Sequence, residues 1–113
     1  MSAEKIVMSA VSILERKIRL TEQQWTHIIL RHPELSGQTQ KIRITLEEPD
    51  EVVYDELNDN FRYVKLFEKT PFSKKHLLVV VRHLDKEGFV ITAFFMSRIR
   101  RRGKVVVWKG RKG

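Results

Sequence analysis

The stretch HLLVVVRHLDKEGFVITAFFMS, residues 76–97, decides the fold. Two runs rich in β-branched and aromatic residues, 76–84 and 89–97, are separated only by the short polar sequence DKEG. Such runs have the composition and length of β-strands, and a short connector between two strands favours antiparallel pairing. The sequence therefore predicts an antiparallel pair of strands over this stretch.

Strands are predicted on both sides of this pair as well. The runs FRYVKLFEK and KVVVW occupy residues 61–69 and 104–108, and the connectors TPFSKK and RIRRRG occupy 70–75 and 98–103. Each connector is short and contains a turn residue or a cluster of charges. The second half of the chain is thus expected to form an antiparallel meander of four strands.

A helix is predicted to begin at Thr21. Thr21 and Gln24 form a Ser/Thr-x-x-Gln capping box, in which the threonine side chain accepts a hydrogen bond from the first turn. An apolar stripe with helical spacing follows at Trp25, Ile28, Ile29 and His32. Pro33 disfavours helical geometry in the residue before it, so His32 is expected to end the helix.

Two other segments are ambiguous. Residues 5–20 alternate imperfectly, which favours a strand within residues 1–15 or a broken strand pair, while a helix of similar length also fits. Residues 41–53, KIRITLEEPDEVV, begin with a strand-like alternation that also fits a helical stripe, and EEPDEV is acidic and turn-like. The expected fold class is α+β, with one or two N-terminal helices packed on an antiparallel sheet of four or more strands.

The composition indicates one soluble domain spanning residues 1–113. The chain is 42% hydrophobic and 32% charged and contains no cysteine. No apolar run approaches the roughly 20 residues that span a membrane, and the start lacks the leader of a secretory signal. We therefore expect a cytoplasmic protein without membrane contact, with a flexible tail at 110–113.

Positive charge is concentrated in the last third of the chain. The net charge is +8; residues 1–73 hold 10 Lys/Arg against 12 Asp/Glu, whereas residues 74–113 hold 12 against 2. A basic surface on a nearly neutral body attracts phosphate-bearing partners, because binding releases counterions from the phosphates. The sequence therefore favours a nucleic-acid partner.

Few catalytic motifs are present. The chain has no Gly-rich phosphate loop, no Gly-x-Ser-x-Gly elbow and no metal-spaced cluster, so we expect no cofactor and no metal. Histidines, cations and a threonine remain, and they suffice to cleave an RNA phosphodiester, since the 2′-hydroxyl of the ribose is itself the nucleophile. The protein then supplies proton transfer and cations that stabilise the charge on the phosphorus oxygens.

His32 is the first candidate for proton transfer, because it lies on the apolar stripe at a helix C-terminus, where the macrodipole favours imidazolium. His27 is five residues earlier, which places it on a different face of the helix and predicts a surface residue. The alternative for His32 is a core or rim histidine whose ring nitrogens bond to the backbone.

Three strand residues are candidates for contact with the phosphate. Arg82 and Thr92 each interrupt an apolar row, and they lie opposite each other if Asp85 pairs with Phe89. Lys65 shares a strand face with aromatic residues, among them Tyr63, and cations among aromatics suit stacking and phosphate contact. Ordinary amphipathic strands are the alternative.

Five cations surround Gly103 before the last strand, and we expect them to hold the RNA backbone together with Tyr63. They are Arg98, Arg100, Arg101, Arg102 and Lys104. A solvated connector is the alternative.

Several of these pieces resemble one known family. The sequences LTEQQWTHIILRHPEL, ITLEEPDEVV, LLVVVRHL and FVITAFF, with a basic Gly turn before VVVW, are similar to phage-type members of the barnase, EndoU, colicin and RelE-like nuclease superfamily. The resemblance covers residues 16–109. It implies a barnase/RelE-like α+β fold, metal-independent RNA cleavage, membership of toxin or phage-conflict systems, and a second helix at residues 38–47.

The resemblance also suggests roles for particular residues. The family's histidine falls on His32 or His27, its strand cation on Lys65 or Arg82 and its hydroxyl on Thr92. The basic Gly turn falls on Arg101 and Gly103.

The first functional hypothesis is a toxin-type ribonuclease that acts on free or ribosome-associated RNA and meets an acidic antitoxin protein. The alternatives are a non-catalytic RNA- or ribosome-binding module and a protein-interaction domain whose basic face meets an acidic partner.

Overall fold

The computed structural model describes residues 4–68 and 75–110, and this part of the chain has an α+β fold. It contains two α-helices, a short 3₁₀ turn and seven strands. In chain order these are β1 (Ile6–Val11), β2 (Lys17–Thr21), α1 (Glu22–Arg31), the 3₁₀ turn (Pro33–Leu35), α2 (Thr39–Glu47), β3 (Glu51–Asp55), β4 (Asn60–Leu66), β5 (His76–Leu84), β6 (Glu87–Met96) and β7 (Lys104–Lys109).

The strands form one sheet in the order β1-β2-β6-β5-β4-β3-β7. The pairs β4–β5 and β5–β6 are antiparallel, as the strand runs predict, whereas β2 pairs with β6 in parallel. The four-strand meander is wrong at its end, because β7 pairs with β3 at the far edge instead of with β6. The acidic segment EEPDEV is irregular at residues 48–50, as its turn-like composition predicts, but its last two residues already belong to β3 (Glu51–Asp55).

Helix α1 begins as predicted, with the Thr21 hydroxyl accepting a hydrogen bond from the Gln24 amide at 3.1 Å. It ends at His32, whose φ of −133° and ψ of 70° are not helical. Helix α2 occupies the segment that alternates like a strand, as the family resemblance implies. The prediction of N-terminal helices is wrong: both helices follow the β1–β2 hairpin, which agrees with the predicted broken strand pair.

One face of the sheet carries the helices, and we call it the helix face. Ile42 and Leu46 of α2 pack there in one buried cluster with Leu77, Val79 and Phe95 of the sheet. Burying these side chains contributes roughly 1.5–3 kcal/mol each. No helix among the described residues is long and apolar enough to cross a lipid bilayer.

The opposite face is crossed by residues 97–103, which we call the strap, and we refer to this side as the strap face. β6 ends beside His76, whereas β7 begins beside Asp55 near the other end of the sheet, so the connection must run diagonally back. Ile99 of the strap packs against Val64, Leu78 and Val80 of the sheet. The strap therefore covers an apolar patch and spreads its arginines over the sheet.

Two predicted flexible or connecting segments fall largely outside the described residues. The connector at 70–75 is described only at Lys75, and the tail at 110–113 only at Gly110. The Gly110 amide donates to the Asp50 carbonyl at 2.9 Å, so the ordered chain continues through this residue.

Candidate functional site

An open cleft of about 510 Å³ lies between α1 and β6. β2 pairs with β6 only as far as Phe89, and beyond that residue α1 replaces β2 along the edge of β6. The Gln24 side-chain amide donates to the Ile91 carbonyl and attaches the helix to this edge. The cleft is lined by Gln24, His27, Ile28, Arg31, His32, Ile91, Thr92 and Phe94.

His32 is placed in this cleft by its stacking on Phe94. The two ring centroids are 5.4 Å apart, with an angle of 28° between the ring planes. The Nδ1 atom lies 3.7 Å from Oε1 of Glu34, and the side chain is 30% exposed. The imidazole is therefore held by an aromatic partner and a carboxylate while it stays accessible to a ligand.

His27 is the exposed residue that was predicted, but it lines the same cleft as His32 although the two lie five residues apart. The rotation of about 100° per residue applies only inside a helix, and His32 has already left helical geometry. Arg31 lies one turn after His27 and lines the same cleft, and both side chains are exposed. The i, i+4 spacing places Arg31 on the same helix face as His27, and this signal in the sequence could have identified Arg31 as a site residue.

Thr92 lies in the cleft, but Arg82 does not lie opposite it. A bulge between Val80 and Val81 of β5 and their partners pairs Thr92 with Val80 and Arg82 with Phe89. Because a bulge inserts one extra residue, both side chains stay on the strap face while moving apart along the strands. Arg82 instead donates to the Asn58 carbonyl at 3.4 Å.

Lys65 and Tyr63 lie on the helix face, away from the cleft. Lys65 Nζ donates to the Glu48 carbonyl at 2.8 Å. The Tyr63 side chain is 0% exposed, and its hydroxyl lies 2.9 Å from both Ser12 Oγ and His83 Nε2. This burial prevents Tyr63 from stacking on a base, so the structure contradicts its predicted contact with RNA.

This buried polar cluster shifts two pKa values. Burial raises the pKa of Tyr63 to about 12, although the hydrogen bond with Ser12 opposes the shift. Burial, followed by repulsion from Arg16, lowers the pKa of His83 to about 4. His83 also stacks on Phe61, with ring centroids 3.9 Å apart. Because its pKa is about 4, its imidazole is neutral at pH 7.

The basic residues of the strap border a second cleft of about 450 Å³ on the strap face. Arg98, Arg100 and Lys104 line it, and Arg62 of β4 joins them. Arg101 instead donates hydrogen bonds to the Glu51 carboxylate, and these bonds raise the pKa of the guanidinium. The remaining predicted residue, Arg102, is exposed in the turn.

In residues 4–68 and 75–110, no three His, Asp or Glu side chains approach closely enough to hold a metal ion.

Comparison with known proteins gives one match, to a family. Neither the curated proteins nor the solved structures match this chain. A family model does match residues 3–109, nearly the whole sequence. The chain therefore belongs to the family described as phage-Barnase-EndoU-ColicinE5/D-RelE like nuclease2.

Proposed function

We propose that this protein is a metal-independent endoribonuclease that cleaves RNA through attack of the 2′-hydroxyl. One observation carries the proposal: two imidazoles, a guanidinium and a hydroxyl, from His27, His32, Arg31 and Thr92, line a single open cleft. The membership of a nuclease family supports it independently.

These groups match the requirements of the reaction. One imidazole takes the proton of the 2′-hydroxyl as its oxygen attacks the adjacent phosphorus, and the other protonates the departing 5′-oxygen. The products are a 2′,3′-cyclic phosphate and a 5′-hydroxyl, so no water or metal is consumed in this step. Arg31 and the Thr92 hydroxyl stabilise the charge that develops on the non-bridging oxygens.

The surroundings of the two histidines differ, which suits two different roles. His32 is fixed against Phe94 and lies near Glu34, whereas His27 stands on the exposed helix surface. A fixed ring holds a reacting atom in line, and a more exposed ring exchanges its proton readily with water. The pH–rate profile of each histidine variant identifies which ring acts as the base and which as the acid.

Cleavage of a mixed-sequence RNA in EDTA tests the proposal. We expect the wild-type protein to release fragments that end in a 2′,3′-cyclic phosphate, and we expect His27→Ala and His32→Ala each to lose at least about a hundredfold in rate. Thr26→Ala is the matched control, because Thr26 is an exposed residue on the same helix and its hydroxyl donates within that helix, to the Glu22 carbonyl.

Two results would contradict the proposal. Cleavage that persists in both histidine variants would place the chemistry elsewhere. RNA binding without cleavage, with and without ribosomes, would favour the non-catalytic binding module instead.

We further propose a toxin role, with neutralisation by an acidic antitoxin that covers the basic strap face. The excess of cations in residues 74–113 supports this role. Induced expression of the wild type should arrest growth, whereas the His27→Ala/His32→Ala double variant should not. Coexpression of a small acidic protein encoded next to this chain should restore growth, and failure of any such protein to bind would exclude the antitoxin.

A further inference from the structure

The second cleft borders the first, because Phe94 lines both. Its apolar floor is formed by Leu78, Phe94 and Met96, of which Leu78 and Phe94 are cross-strand partners. Four cations surround this floor: Arg62, Arg98, Arg100 and Lys104. An apolar floor with a cationic border is an arrangement that accepts a flat, apolar ring and a phosphate together.

The cations around this cleft differ in the ion pairs and hydrogen bonds that they form with the protein. Within the described residues, Arg98 and Arg100 form no ion pair, whereas Arg101 beside them is bound to Glu51. Arg62 donates to Asp55 at 3.2 Å through one terminal nitrogen, but its Nε is buried and has no hydrogen-bond partner. Arg98 and Arg100 are therefore the arginines of this cleft that no acidic side chain of the described residues neutralises.

We propose that this second cleft binds one unpaired nucleotide next to the scissile phosphate, so that the enzyme selects single-stranded RNA. The inference rests on the proposed function for the position of the scissile phosphate. The base lies on Phe94 and Met96, while its phosphate is held by Arg98 and Arg100. In a duplex the faces of the bases are stacked on each other, so no base can lie flat on this floor.

Two measurements test this inference, and the first does not depend on cleavage. A labelled single-stranded 2′-O-methyl RNA cannot undergo 2′-hydroxyl attack, and its binding is followed by fluorescence anisotropy against a hairpin duplex of the same composition. We expect the single strand to bind about tenfold more tightly than the duplex. We also expect Arg98→Ala/Arg100→Ala to lower single-strand affinity about tenfold and to reduce the salt slope by about 1.4.

The matched control is Arg43→Ala/Lys86→Ala, which removes two exposed cations that line neither cleft. It should change affinity far less than the strap variant. An equal loss in both variants would show that the cations act only through net charge, and equal affinity for strand and duplex would exclude a stacking floor. Either result overturns the inference.

The second measurement compares cleavage of a dinucleotide with that of a longer single strand. The strap variant should raise KM for the longer substrate and leave the dinucleotide unchanged. An unchanged KM for both would remove the nucleotide site while leaving the proposed nuclease intact. Conversely, single-strand selectivity in a protein that never cleaves RNA would retain the nucleotide site and remove the proposed reaction.

Discussion

Arg101 binds the carboxylate of Glu51 through two hydrogen bonds, from Nε to Oε2 at 2.7 Å and from Nη2 to Oε1. The Glu51 side chain is only 5% exposed, whereas that of Arg101 is 48% exposed. The ion pair therefore joins a half-exposed arginine of the strap to a carboxylate buried in β3. It fixes the strap across the sheet, and with it the arginines on either side.

Arg101→Ala should destabilise the fold by about 2 kcal/mol, because it leaves the buried Glu51 carboxylate without its partner. The free energy of unfolding in urea measures this loss. Arg102→Ala is the matched control, since Arg102 is an exposed strap residue and no ion pair of the described residues includes it. Equal stability of the two variants would contradict the role of Arg101 in holding the strap.

Acid should destabilise the protein through His83. Its pKa is about 4 in the folded protein, against about 6.5 in the unfolded chain. The unfolded chain therefore binds the proton first, so stability is full above pH 6.5 and falls as the pH is lowered toward 4. We expect His83 to contribute about 2 kcal/mol of this loss, with allowance for its partial exposure.

Unfolding in urea at several pH values between 7 and 4.5 measures the effect of His83. In His83→Gln, whose amide does not titrate, this part of the pH dependence should disappear. A variant that loses stability with the same slope as the wild type would assign the effect to other groups.

Thr21→Ala should lower the free energy of unfolding by about 1 kcal/mol, because the Gln24 amide loses its capping acceptor. Thr26→Ala, in the interior of the same helix, should be close to neutral. Thermal unfolding of both variants measures the difference. If the two variants melt together, the Thr21 hydroxyl does not act as a cap.

Phe94→Leu should reduce cleavage about tenfold while changing stability little, because leucine fills the space but cannot stack on the His32 ring. Single-turnover rates and urea unfolding separate the two effects. Leu84→Ala is the control, since Leu84 is an exposed apolar residue on the same pair of strands. An unchanged rate would show that stacking does not position the histidine.

Local signals in the sequence predicted the elements that local interactions determine. The capping box located the start of α1, and the β-branched runs located β4, β5 and β6. The α2 segment fits both a strand alternation and a helical stripe, and the family resemblance decided in favour of the helix. Its Ile42 and Leu46 are one helical turn apart, and both pack into the core.

Non-local pairing defeated the other predictions. Glu51 lies at the end of the segment that was predicted to be turn-like, but it begins β3, where its carboxylate pairs with the distant Arg101. The bulge in β5–β6 changed the partner of Thr92, since no residue pattern announces one extra residue in a strand. His27 is exposed as predicted, but it shares a cleft with His32, because the cleft flanks α1 along its side and also extends past its end.

The pairing of β3 with β7 joins residues 51–55 to residues 104–109, a wide separation along the chain. Contacts of this kind form late in folding, because a long loop must close first. Until β7 pairs with β3, the strap is not held across the sheet, and Arg101 is not kept beside Glu51. The basic strap surface therefore takes shape only once residues 104–109 have paired with β3.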